Sequence, residues 1–159
     1  MSEYRIGIGY DIHKLCNGRD LIIGGLKINY EKGLLGHSDA DVLVHAIIDA
    51  LLGASAMSDI GTLFPDTDEK YKNADSMELL RQVCALITSK GYKICNIDSI
   101  IIVQKPKMLP YISAIRENIA AAAGIEKESI SVKSKTKEGL DSTGEGIAIE
   151  ANAVTILMK

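Results

Sequence analysis

Tryptophan is absent, phenylalanine occurs once and tyrosine six times in 159 residues, so the core must be built from Ile, Leu, Val and Ala. Cysteine is scarce and poorly spaced for chemistry. Cys16, Cys84 and Cys95 form an odd set without a CxxC pair, which argues against a disulfide framework and a cysteine-built zinc site. Cys84 falls among Leu80, Val83 and Ile87 at helical spacing, where a buried thiol acts as a small hydrophobe. Basic residues form only short groups such as Lys70-Tyr71-Lys72 and the net charge is −3, which argues against nucleic-acid binding. A small anion stays compatible, because backbone N–H groups or one lysine can hold it. No apolar run approaches membrane-spanning length and no signal-peptide pattern opens the chain, so a reduced, cytoplasmic setting without membrane contact is expected. Histidine is the most telling scarcity: His13, His37 and His45 are the only three.

What is present is an ordinary globular composition, 47% hydrophobic and 25% charged, of a length that suits one domain over residues 1–159. Strands are expected at Tyr4–Gly9, continuing into the Asp11-x-His13 segment, at Leu21–Ile28 with a glycine bend, at Asp98–Gln104, at Ser129–Thr136 and at Gly146–Met158. Helices are expected at Ser38–Ala54, capped by Ser38, at Ser76–Lys90 ended by Gly91, and through YISAIRENIAAAAG. DIGTLFPDTD reads as a loop or short helical turn. The arrangement predicts an α+β fold, a mixed β-sheet with helices on one face. Both faces of the last strand are partly apolar, so one is expected under helices and the other against a neighbouring subunit or more of the same chain.

Asp11 and His13 leave the same face of a strand and can grip one ion together. His45, on a helix with Asp41 and Asp49 at i−4 and i+4, would complete three N/O ligands. Three protein ligands with a free fourth position is the pattern of a catalytic zinc. Asp41 and Asp49 are expected to hold the imidazole from behind. A polar stripe facing water is the competing reading.

Taken in order, the segments GYDIH, IIGG, EKGLLGHSDADVLVHAIIDALLGA, SDIGTLFPDTD, ADSMELLR, KGY, PKMLPYI, VKSKTKEGL and GEGIAIEA resemble the 2-C-methyl-D-erythritol 2,4-cyclodiphosphate synthases across nearly the whole chain. The resemblance implies a homotrimer with active sites at subunit boundaries and one Zn2+ on Asp11, His13 and His45. Mg2+ or Mn2+ on Glu138 would bridge the substrate's diphosphate. The implied reaction converts 4-diphosphocytidyl-2-C-methyl-D-erythritol 2-phosphate to the cyclic diphosphate and CMP.

The same resemblance assigns roles. His37 and Ser38 would contact the erythritol phosphate, and Thr136 the developing phosphate charge, flanked by Lys135 and Lys137. Asp59, Ile60 and Gly61 would meet the ribose, and Phe64, Pro65, Asp66, Thr67 and Asp68 the erythritol. Pro106, Lys107, Met108 and Leu109 would read the cytosine, with Val103, Gln104 and Lys105 among the substrate contacts. Two departures stand out. Lys135-Thr136-Lys137 replaces consecutive threonines, and DSTGEG lacks the arginine and aromatic of a TGRGEG-like turn that border an isoprenoid-diphosphate cavity on the trimer axis. A zinc phosphohydrolase and a non-catalytic cytidine-nucleotide-binding trimer are the competing functions.

Overall fold

The computed structural model describes residues 3–159. β1 runs much further than its first apolar alternation, from Tyr4 to Cys16, because it pairs with the last strand, β7 (Ala148–Met158), along most of its length. That pairing is antiparallel and sets Asp11 opposite Ala151 and His13 opposite Ile149. The five-stranded mixed sheet has the order β4-β1-β7-β5-β6, where β4 is Gly33–Leu34, β5 is Lys93–Ile102 and β6 is Ile130–Lys135. β5 and β6 are parallel, and the connection between them carries helix α4 (Ile112–Ala123). Gly124, left-handed at φ 67°, ends that helix as a C-terminal glycine should.

Leu21–Ile28 is not one bent strand. It is a hairpin of β2 (Leu21–Ile23) and β3 (Leu26–Ile28), turned by Gly24 and Gly25 at φ 60° and 68°. Two consecutive positive φ values cost little only at glycine.

Helix α1 (Val42–Ala54) begins four residues later than Ser38. Asp41 caps it, accepting from Val44 N at 3.1 Å, because Ala40 is left-handed at φ 58° and cannot continue a helix backwards. Val42, Leu43, Val44, Ile47, Ile48, Leu51 and Leu52 are all fully buried. A helix apolar all round suits its position between the sheet and helix α3 (Ser76–Ser89). Each such side chain contributes about 1.5–3 kcal/mol on burial.

The packing of α1 on β1 is close because the strand offers no side chains there. A methyl group at Gly9 would overlap the Ala46 carbonyl and lie 2.7 Å from Ala50 N; one at Gly7 would lie 2.6 Å from Ala54 N. Strand parity continues this inward face directly into Asp11 and His13. The opposite face carries Tyr4, Ile6, Ile8, Tyr10 and Ile12, which are 42–73% exposed in the single chain. Helices thus cover one face of the sheet and leave an apolar stripe on the other. Among the described residues, no helix is long and apolar enough to cross a membrane.

Candidate active site

Where β1 emerges from beneath α1, three ligand atoms converge. Asp11 Oδ2 lies 2.9 Å from His13 Nε2 and 2.9 Å from His45 Nδ1, and the two nitrogens are 3.2 Å apart. Tetrahedral zinc with bonds of about 2.0–2.1 Å would space its ligands by roughly 3.3 Å. Only a slight spreading is needed.

Hydrogen bonding on the far side of each ring says which nitrogen is free. His13 Nδ1 lies 2.8 Å from the Leu35 carbonyl, which only accepts, so Nδ1 carries a proton and Nε2 faces the cluster. The Ser76 hydroxyl donates to Asp39, so at 2.9 Å it accepts from His45 Nε2. His45 Nδ1 therefore presents a lone pair towards Asp11. A carboxylate and two imidazole lone pairs meeting at one point require a cation between them, either an extra proton or a metal ion. The donor set fits zinc.

The titration behaviour follows. Burial opposes ionisation of Asp11, but hydrogen bonds and charge from His13 and His45 outweigh it and hold the carboxyl at about 2, from 3.8. Burial would lower His13, but the Asp11 carboxylate beside it wins and its pKa rises above 6.5.

Asp41 and Asp49 do not support His45. Asp41 is fully buried and accepts from Gly25 N at 2.7 Å as well as from Val44 N; burial drives its pKa up to about 6 despite those bonds. Asp49 accepts from Ile60 N at 2.8 Å and so fastens helix α2 (Ile60–Leu63) to α1. Asp39 and Ser76 do the work instead, with Ser76 N also donating to Asp39 at 2.9 Å. No periodicity in the sequence signals that pair, because Asp39 lies in the segment before α1 and Ser76 opens α3, 37 residues on.

The cluster opens into a cleft of about 400 Å³ whose walls include His13, His37, Ser38 and His45 on one side and Ile60, Gly61, Phe64 and Asp66 on the other. Tyr71, which also lines the cleft, stacks edge-on against Phe64 at 5.3 Å between centroids. Asp59 caps α2, accepting from Thr62 N at 2.7 Å, and Asp68 caps the helical turn Glu69–Tyr71, accepting from Lys70 N at 3.0 Å. Pro65 and Thr67 join the same loop but do not line the cleft.

A second pocket of about 170 Å³ gathers Val103, Gln104, Pro106, Lys107, Met108 and Leu109 with Ser134, Lys135 and Thr136. Lys105 is not in its wall. Thr136 donates to Glu138 Oε1 at 2.5 Å, and Glu138 is left-handed at φ 53°. Lys137 turns away, 2.9 Å from Asp141 Oδ2 and 3.0 Å from Glu150 Oε1, in the loop leading into the short helix α5 (Asp141–Gly144). Its charge is committed to those two carboxylates.

The YgbB family model matches residues 4–158. Curated relatives named 2-C-methyl-D-erythritol 2,4-cyclodiphosphate synthase share 61% identity in Alkaliphilus oremlandii and 59% in Clostridium perfringens, each covering 98% of this chain and 99% of the relative. Among solved structures, IspF of Plasmodium falciparum in a CDP complex superposes with a TM-score of 0.85 at 42% identity, over 98% of this chain and 96% of that one. The bifunctional IspDF of Campylobacter jejuni superposes at 0.96 with 38% identity, over 99% of this chain but 43% of that longer one. Identity at this level along the full fold, together with the His/Asp cluster, settles the relationship: the chain belongs to the YgbB family, that of the 2-C-methyl-D-erythritol 2,4-cyclodiphosphate synthases.

Proposed function

We propose that this protein converts 4-diphosphocytidyl-2-C-methyl-D-erythritol 2-phosphate to 2-C-methyl-D-erythritol 2,4-cyclodiphosphate and CMP. An oxygen of the substrate's 2-phosphate attacks the β-phosphorus, the bond from that phosphorus to the bridging oxygen breaks, and the electron pair leaves with CMP. No protein nucleophile is required, which suits a site made of ligands and donors. The observation that carries the reading is the convergence of Asp11, His13 and His45 at the mouth of a cleft.

Asp11 Oδ2, His13 Nε2 and His45 Nδ1 would hold zinc, and Glu138 would hold Mg2+ or Mn2+; when bound, these ions supply Lewis acidity towards the phosphate oxygens. The chain's own residues position and neutralise. His37 and Ser38 would receive the erythritol phosphate, and the Thr136 hydroxyl would turn from Glu138 towards charge developing on phosphorus, with Lys135 nearby. Asp59, Ile60 and Gly61 would take the ribose, and Phe64 to Asp68 the erythritol. The backbone of Pro106 to Leu109 would read the cytosine edge, with Val103, Gln104 and Lys105 among the substrate contacts.

Metal cleft and second pocket are separate cavities of the protomer, which supports a homotrimer in which each active site joins the cleft of one subunit to the pocket of another. The apolar stripe of β1 would be the packed face. A cytoplasmic setting completes the reading. Purified protein given the cytidylyl substrate is expected to yield CMP and the cyclic diphosphate by phosphorus NMR. Inorganic phosphate as product would make it a hydrolase; binding without turnover would make it a nucleotide-binding module.

A further inference from the structure

The segment carrying His37 and Ser38 lies outside any helix or strand, yet all three of its carbonyl groups are held. Arg19 donates to the Gly36 carbonyl at 2.8 Å and to the Ser38 carbonyl at 2.6 Å, and Asn73 N donates to the His37 carbonyl at 2.9 Å. Arg19 is fixed beneath this segment by its own backbone. Gly33 packs so closely on the carbonyls of Arg19 and Asp20 that a methyl group there would overlap both. A guanidinium fork holds two carbonyls in one rigid, planar geometry.

The consequence lies on the other side of each peptide. In a trans peptide the C=O and N–H point in opposite directions, so holding one aims the other. The Gly36 carbonyl shares its peptide with the His37 N–H, and the His37 carbonyl shares its peptide with the Ser38 N–H. Neither N–H has a protein acceptor among the described residues, and both residues line the metal cleft. We propose that Arg19 is a positioning residue: by clamping the Gly36 carbonyl it directs the His37 amide hydrogen at a phosphate oxygen in the cleft, beside the Ser38 amide that Asn73 aims through the His37 carbonyl. Its second arm braces the Ser38–Asp39 peptide, whose N–H donates to the Ala74 carbonyl. Arg19 itself stays out of the cleft wall. Its role rests on the phosphoryl-transfer reading above.

The test compares Arg19→Ala and Arg19→Lys with the parent in zinc-loaded protein. Arg19→Ala is expected to lower kcat on the order of 10²-fold, the cost of misplacing a donor by about an ångström. Zinc content and CMP affinity should stay at parent levels, and added guanidinium ion should restore part of kcat. Arg19→Lys keeps the charge but loses the planar fork and is expected to lose about 10-fold. Parent-level kcat in either variant overturns the proposal, as does a parallel fall of kcat, zinc content and CMP affinity without rescue. Amide NMR with inorganic pyrophosphate gives a readout independent of turnover. The His37 amide signal should shift in the parent and not in Arg19→Ala, and equal shifts in both overturn the clamp. A parent that shows that shift but makes no cyclic product would refute the assigned reaction and leave the clamp standing.

Discussion

His45 Nε2 lies 2.9 Å from the hydroxyl of Ser76, a residue of a different helix whose own proton is given to Asp39. Ser76 thus turns the lone pair of His45 Nδ1 towards Asp11, with Ser38 Oγ a second, longer contact to Nε2 at 3.2 Å. Ser76→Ala should leave the Nε2 proton with only that longer contact and weaken zinc binding about 10-fold, measured by competition with a chelating dye. His45→Ala should go further and abolish both zinc binding and cyclisation while the protein stays folded, because the core is apolar and independent of the site. A zinc-free His45→Ala protein with full activity would refute the ligand assignment.

Metal-free and zinc-loaded protein should respond to pH in opposite senses. In the metal-free form His13 titrates above its unfolded value of 6.5, so the stability from its pairing with Asp11 is complete below 6.5 and is lost as pH rises through the raised value. Asp41, raised from 3.8 to about 6, adds a loss of stability as pH climbs through that interval. Asp11 adds stability that is present above 3.8 and vanishes only as pH falls through about 2. Zinc must displace the His13 proton, so its affinity increases with pH. Melting temperatures recorded from pH 5 to 8 should therefore fall without metal and diverge upward with it; parallel curves would contradict this.

Gly9→Ala is expected to destabilise the protein by about 1–3 kcal/mol, since the new methyl group would meet backbone of α1 rather than a side chain that can move. It should also lower zinc affinity, because α1 carries His45 and would be pushed away from the strand carrying Asp11 and His13. Thermal unfolding and zinc titration together separate this from Gly18→Ala, where nothing lies within 4 Å of the new atom and only the cost of φ 78° remains.

Ile8→Glu places a charge at a position 73% exposed in the isolated chain, where a surface substitution costs little. Under the proposed trimer it should instead yield monomers by light scattering and remove activity while zinc binding persists. Mixing His45→Ala with a Lys135→Ala, Thr136→Ala double variant should restore partial turnover after subunit exchange. An active monomeric Ile8→Glu protein would refute shared sites.

The convergence of Asp11, His13 and His45 was legible because strand parity and helix spacing are local rules: Asp11 and His13 are two apart, and His45 sits on a strongly apolar helix. The fold class was legible for the same reason, since the β1, α3 and β7 patterns are strong. What escaped depends on backbone conformation or distant contact. Ser38 looked like a helix cap, but left-handed Ala40 stops the helix short and hands the cap to Asp41. Gly24-Gly25 between apolar runs is a hairpin signal that a single-strand reading passed over. Lys137 looked available for phosphate, and only the fold brings Glu150 beside it. Asp39 stands near His45 in the sequence, but nothing there signals its pairing with Ser76.

Along β1, odd positions hold the two glycines under α1 and then Asp11 and His13 of the convergent cluster, while even positions form the apolar stripe. The strand therefore has no idle side. A half-exposed strand normally absorbs mutational drift at every second residue, but given the proposed assembly this one would not. From Tyr4 to His13 the chain should be a stretch where almost every codon is under constraint, and where adaptation must be sought in the loops instead.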